Sequence, residues 1–289
     1  MKNGTICNNC PRMCGADRTI VKGFCGCGDS IRIAKIMKHF GEEPVITGTE
    51  GSGTVFFSGC VLKCPFCQNF PISHELKGTD YTDDEFIDAV FELEQQGVHN
   101  INLVSPTQFL HRLIPLLEKI KSKISIPVVY NTGGSELPGM IKRLDGLVDI
   151  YLPDLKYFDN NFGLKYSNVN NYFDYTSLSI KEMLRQQPEC IIENGIMKKG
   201  VIVRHLVLPN LYKDSIRLMK WLSSLENKPM VSVMRQYTPC YKATDYKELN
   251  RRITTFEYEK VTDKCAELGL SGFTQLKGCE TLDMTPVFD

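Results

Sequence analysis

Residues 54–67 read TVFFSGCVLKCPFC, an apolar β-type run that ends at Ser58-Gly59 and delivers Cys60, Cys64 and Cys67 in C-x3-C-x2-C spacing. Five runs of the same kind follow: NINLV (100–104), PVVYN (127–131), DIYLPDL (149–155), VIVRHLVL (201–208) and MVSVM (230–234). Strands this continuously apolar are buried on both faces, as in a parallel sheet. Between the first two lies the clearest helix, with Thr82 and Glu85 as a capping box, Phe86, Ala89, Val90 and Leu93 on one face, and Gly97 past its end. Helical patterns also occupy 107–122, 135–145, 172–187, 214–226 and 250–268, the first interrupted by Pro115. The repeats predict an α/β fold with a parallel sheet, either an incomplete barrel or a doubly wound sheet; periodicity does not choose between them.

Outward from this core, residues 30–40 (SIRIAKIMKHF) place Ile33, Ile36, Met37 and Phe40 at helical spacing, which predicts a linking helix closed by Gly41 and Pro44. The run 48–53 (GTEGSG) lacks a following Gly-Lys-Ser/Thr and reads as a loop, not a phosphate cradle. The expected organisation is a cysteine-rich metal-binding segment over 1–29, a linking helix and Gly-rich loop over 30–53, and a barrel with a C-terminal helix over 54–289.

Composition bounds the rest. In 289 residues, 34 Lys plus Arg balance 34 Asp plus Glu, so no net positive field holds nucleic acid or an anionic membrane. No stretch approaches the roughly 18 apolar residues of a membrane span, and no leader-type apolar region opens the chain, so a cytoplasmic protein is expected. Eight of the 12 cysteines fall within the first 67 residues. In a reducing compartment such clustering points to metal or redox chemistry, not disulfides.

Three thiolates at the carboxyl end of a parallel strand sit where α/β folds place active sites. They can hold three irons of a 4Fe-4S cluster and leave the fourth open to a ligand, whereas electron-transfer clusters take four cysteines. Zinc with His74 as fourth ligand, or a redox dithiol at Cys64-Pro-Phe-Cys67, are the alternatives that the residues leave open.

With Phe66 as its aromatic, the spacing C-x3-C-x-aromatic-C resembles the signature of the radical S-adenosylmethionine (radical SAM) superfamily. Gln68-Asn69, DIYLPDLKYF and VIVRHLVLPN resemble the pyruvate formate-lyase activating enzyme group. The N-terminal cysteines, HFGEEP, GSGTVFFSGC, NINLVSPT, YNTGG and RQYTP are similar to a subgroup of pyruvate formate-lyase activating proteins over nearly the whole chain. The resemblance implies a partial (β/α)6 TIM-like barrel. It also implies a 4Fe-4S cluster on Cys60, Cys64 and Cys67, S-adenosylmethionine on the open iron, and reductive cleavage to a 5'-deoxyadenosyl radical that abstracts hydrogen from a substrate. That substrate would be a glycine of a glycyl radical enzyme, with another peptide or a small molecule as the nearest rival. A low-potential reductant such as flavodoxin or ferredoxin would supply the electron. A zinc-stabilised scaffold without catalysis is the reading from a different class.

Residue by residue, the resemblance assigns Phe66 to the adenine, and Asn131, Thr132, Asp154 and Lys156 to the methionine carboxylate and a monovalent cation. Arg204 becomes a basic residue near the cofactor. Two departures stand out. The family's Gly-Gly-Glu turn after the second strand is replaced by Ser105-Pro106-Thr107, and Asn131 stands where the activating enzymes carry Asp.

Cys7, Cys10, Cys14 and Cys25 are spaced C-x2-C-x3-C-x10-C in a Gly-rich segment with too few apolar residues to fold unaided, and Cys27 is a fifth candidate. Four such thiolates fit a closed zinc site or a second iron-sulfur cluster. Gln236, Tyr237 and Cys240 are expected near the barrel mouth.

Overall fold

The computed structural model describes residues 6–279 and 286–288. Its strands are β1 (Ile31–His39), β2 (Ser52–Phe57), β3 (Thr79–Tyr81), β4 (Ile101–Val104), β5 (Val128–Thr132), β6 (Ile150–Pro153), β7 (Ile191–Glu193), β8 (Ile196–Leu206), β9 (Met230–Met234) and β10 (Gly272–Thr274). They form one open sheet in the order β10-β9-β8-β6-β5-β4-β2-β1-β3, with β7 paired to β8 as a hairpin. From β2 through β4, β5, β6, β8 and β9 to β10 every neighbour is parallel. The fold is therefore the partial, unclosed barrel, and all six predicted strands are present.

Helices follow the strands. Asp83–Gln95 starts with the expected capping box between Thr82 and Glu85. Leu110–Lys121 is preceded by a single 3-10 turn and carries Pro115 inside it. Tyr172–Gln186, Tyr212–Ser223 and Thr255–Glu267 match the predicted patterns, while 135–145 shrinks to Pro138–Lys142. The short helices Pro44–Thr47, Phe70–Ser73 and Asn160–Ser167 were not anticipated.

Residues 30–40 correct the sequence reading. They are no linking helix but the strand β1, antiparallel to both β2 and β3. Ile31 and Ile33, two apart, are the residues driven inside, whereas Phe40, which completed the helical stripe, is exposed. Two isoleucines in alternation and a third just past a register shift favour the pleated state, and the unpaired edge of β2 supplies the hydrogen bonds that a lone helix could not offer. Residues 30–53 are thus part of the sheet, not a linker, and β2 begins at Ser52 inside the Gly-rich run. The cysteine-rich segment is described from Ile6 onward; residues 1–5 of the predicted 1–29 unit lie outside the described residues.

Alternation along the strands sends two side-chain sets in opposite directions. Val55, Phe57, Leu103, Tyr130, Tyr151, Val203 and Val233 pack in the main core with helix residues such as Phe86, Leu113, Ile180 and Leu218. Val129, Ile150, Leu152, Met197 and Ile202 turn to the inner face and pack on Ile46, from the helix Pro44–Thr47. That helix brings Glu42 and Glu43 inside, where both carboxylates pair with Arg204. Asn131 Oδ1 accepts from Arg204 at 3.3 Å, and Asn102 Nδ2 donates to Glu42 Oε1 at 2.8 Å. At the outer end of the inner face, Phe288 packs edge-on to Phe56 and beside Ile72 and Val104, with Lys35 and Lys77 donating to the carbonyls of Val287 and Phe288.

Removing one partner of such a buried network strands the others. Arg204→Met should lower unfolding free energy by about 3–5 kcal/mol, read from denaturant midpoints at pH 7; a loss under 1 kcal/mol would show that Glu42 and Glu43 are otherwise satisfied.

Candidate active site

The loop carrying Cys60, Cys64 and Cys67 leaves the carboxyl end of β2 through Gly59, which holds φ +81°; any Cβ there would strike Cys27 Sγ and the Cys25 carbonyl. This close approach requires glycine. Gln108 fixes the exit of the strand, its amide donating to the carbonyls of Ser58 at 2.9 Å, Gly59 at 3.1 Å and Ser105 at 2.8 Å. Each thiol has a local partner: Leu62 N–H donates to Cys60 Sγ at 3.4 Å, Ser167 Oγ lies 3.0 Å from Cys64 Sγ, and Ser73 Oγ lies 3.2 Å from Cys67 Sγ. Burial, together with the other cysteines of the triad, pushes the Cys64 thiol up to about 11 and the Cys67 thiol up to about 12. Thiols gathered on one loop, two of them desolvated, call for a cation to take their negative charge when they ionise.

His74 Nδ1 lies 2.8 Å from Ser73 Oγ and its ring packs on Tyr241. Phe66 is buried, edge-on to Tyr237 with ring centroids 5.9 Å apart. The expected mouth segment does cover the loop: Lys242 N–H donates to the Pro65 carbonyl at 2.9 Å, Cys240 Sγ lies 3.4 Å from the Phe66 carbonyl, and Gln68 Nε2 reaches the Gln236 carbonyl at 3.2 Å.

Asp154 and Lys156 stand at the carboxyl end of β6 as an ion pair 2.5 Å long. Burial opposes the Lys156 charge, but Asp154 and the neighbouring Cys64 hold its ammonium above the ordinary range. His205 beside them stays neutral, its pKa pulled to about 4 by burial, with Nδ1 2.6 Å from the Leu155 carbonyl. The other expected cofactor residues are committed within the chain. Asn131 and Arg204 belong to the Glu42–Glu43 network, and the Thr132 hydroxyl donates to Glu136.

Glu136 was not foreseen. It is fully buried, and its Oε1 accepts from Thr132 and, at 2.7 Å, from Thr107, the residue that replaces the family's turn. Its Oε2 has no partner. No motif marks it; only its place after TGGS, in a turn where Gly134 has φ +82°, puts it against Thr107 and Thr132 at the carboxyl ends of β4 and β5.

A parallel, open α/β barrel with three cysteines on the loop after its first parallel strand defines a class, the enzymes that hold a metal cluster at the rim of a partial barrel. Residues 54–222, more than half of the chain, match the family model of the radical SAM superfamily. The chain belongs to that superfamily. It is 32% identical to the uncharacterized protein MJ0674 of Methanocaldococcus jannaschii over 91% of this chain and 75% of that protein. Among solved structures it is similar to a domain of pyruvate-formate lyase-activating enzyme from Bacteroides vulgatus (TM-score 0.44, 13% identity, 58% of this chain and 91% of that one). It is similar also to SuiB of Streptococcus suis bound to the precursor peptide SuiA (TM-score 0.51, 16% identity, 76% and 47%). Membership implies a 4Fe-4S cluster and S-adenosylmethionine, and the three thiols on one loop fit the cluster. Among the described residues no helix is long and apolar enough to cross a membrane.

Burial raises the Glu136 carboxyl from 4.5 to about 7 against the pull of its two threonine hydrogen bonds. A carboxyl raised in the folded state stabilises fully below its unfolded pKa and loses that contribution as pH rises. Stability should therefore fall by about 3 kcal/mol between pH 4.5 and 7 on this account. Glu136→Gln should flatten that decline; unfolding curves across the interval check it, and an unchanged slope would assign the titration elsewhere.

Proposed function

We propose that the chain cleaves S-adenosylmethionine reductively at a 4Fe-4S cluster on Cys60, Cys64 and Cys67, and that the substrate giving up hydrogen is a glycine of a glycyl radical enzyme. The observation that carries the first half is the triad itself: three thiols on one loop at the rim, with the nearby Cys240 Sγ turned to the Phe66 carbonyl. When bound, the cluster and S-adenosylmethionine supply one-electron chemistry and a 5'-deoxyadenosyl radical.

The chain supplies position and charge. Lys156 is fixed by Asp154 and by the Tyr172 hydroxyl, which accepts from the Lys156 backbone N–H at 3.1 Å. An ammonium held charged beside Cys64 counters the thiolates' negative charge and offers a donor to a ligand carboxylate. Phe66 offers a flat apolar face at the same loop, suited to a purine ring. Asn131 lacks the carboxylate of the activating enzymes, but Glu42 bonded to its Nδ2 keeps a negative charge at that place. For the second half of the reading, support comes from the resemblance to activating enzymes and from the peptide bound by the structurally similar SuiB. A flavodoxin or ferredoxin is the proposed electron donor, and a small-molecule substrate is the alternative.

Anaerobic protein should be brown, and Cys60→Ala, Cys64→Ala or Cys67→Ala should each abolish methionine and 5'-deoxyadenosine formation under dithionite. Retained cleavage in any of them would overturn the cluster assignment. Asp154→Ala should weaken S-adenosylmethionine binding about tenfold or more with iron content unchanged, as expected for loss of about 1.4 kcal/mol of orientation. Isothermal titration checks it, and wild-type affinity would leave Asp154 a purely structural partner of Lys156.

A further inference from the structure

The N-terminal segment brings four thiols to one place. Cys7, Cys10, Cys14 and Cys25 line a single small cavity together with Arg12, Arg18 and Val61. A Cβ placed on Gly23 would lie 3.5 Å from both Cys14 Sγ and Cys25 Sγ, so those two thiols flank the same point. Cys27 is not among them: it is buried behind the cavity with Sγ 3.3 Å from the Ser58 carbonyl. The segment has almost no hydrogen-bonded regular structure, only the bridge between Ile6 and Asp17, and its side chains are too polar to form a core of their own.

A second, independent observation points to an anion in that cavity. Arg18 is 3% exposed, and its Nε and Nη2 have no hydrogen-bond partner. Its Nη1 donates to the Gln108 carbonyl and lies 4.0 Å from Cys7 Sγ. A buried guanidinium with orphaned donors costs several kcal/mol unless a negative charge meets it. Arg12 is the second cation, stacked 3.7 Å over the Phe24 ring. Two guanidiniums match the net charge of about −2 that four thiolates give either a 4Fe-4S centre in its usual resting state or a single zinc ion.

We propose that Cys7, Cys10, Cys14 and Cys25 hold a second iron-sulfur cluster, of the 4Fe-4S type. A single tetrahedral zinc would draw its four sulfurs to within about 4 Å of one another. A 4Fe-4S cluster on the same four thiolates would hold them farther apart and could exchange electrons with the first centre, which the link described next favours over zinc. Four thiolates leave no open iron, so this centre does not take S-adenosylmethionine.

It stands beside the first loop. Arg12 Nε donates to the Val61 carbonyl at 2.8 Å, and its Nη2 donates to the Ser167 carbonyl at 3.0 Å. The Ser167 hydroxyl is the group 3.0 Å from Cys64 Sγ. One arginine side chain therefore spans from the second cysteine group to the polypeptide that touches the first.

The test uses the full chain, purified and reconstituted anaerobically with iron and sulfide, and assayed for iron, sulfide and zinc. Wild type should hold about eight irons, and Cys10→Ala about four. The triple variant Cys60→Ala/Cys64→Ala/Cys67→Ala should retain about four irons and a cluster spectrum of its own. That variant lacks the first centre, so its result stands whether or not the proposed reaction is right, and it remains informative if Cys10→Ala fails to fold. In the triple-variant background, Arg18→Met should shift the remaining cluster to a more negative reduction potential, since a cation facing it is lost. A colourless triple variant, or one zinc per chain in place of the second set of irons, would overturn the proposal. An unchanged potential would overturn the part played by Arg18.

Discussion

Parallel pairing is the constraint on which the rest of this structure depends. Because β2, β4, β5, β6, β8 and β9 all run the same way, their carboxyl ends open on one rim. Residues far apart in sequence, Cys60, Thr107, Thr132, Asp154 and Gln236, are thereby gathered at that rim. The same ladder fixes which residues face inward, since a slip of one residue would turn Arg204 and Asn131 into the helix-covered core. The charged inner network is thus a consequence of register. An arginine on a buried strand has to be met by carboxylates, and the turn before Pro44 delivers two.

The chemistry sits where backbone regularity ends. Gln108, Ser167 and Ser73 are ordinary polar residues on three different segments, yet each meets the cysteine loop or the strand that feeds it. They brace the loop against three segments of the scaffold. The N-terminal segment is different in kind. It has no comparable framework, and its conformation leans on the rim through Arg12 and Arg18.

Much of this was legible in the sequence, for identifiable reasons. Six apolar runs with helical patterns between them dictate a parallel sheet because only burial on both faces tolerates such strands. The triad's spacing and its place after β2 carry the cluster reading. The misread segment was 30–40, where Ile33, Ile36 and Met37 satisfy a helical period while Ile31 and Ile33 satisfy a period of two. Tertiary pairing with β2 decided between them, and no local feature announces such a partner. Glu136, Gln108 and Ser167 escaped notice because their importance lies in long-range contacts, which leave no periodic trace. Likewise Arg204 read as an isolated charge on a strand; its partners Glu42 and Glu43 lie some 160 residues upstream.

The hairpin of β7 and β8 turns through Asn194 and Gly195, both with positive φ, at the amino end of β8 and so at the pole away from the rim. The exposed Asn-Gly tip is a tight turn with solvent on its far side. Labels, immobilisation linkers or an inserted reporter belong there, where the scaffold can be held or watched without crowding the rim.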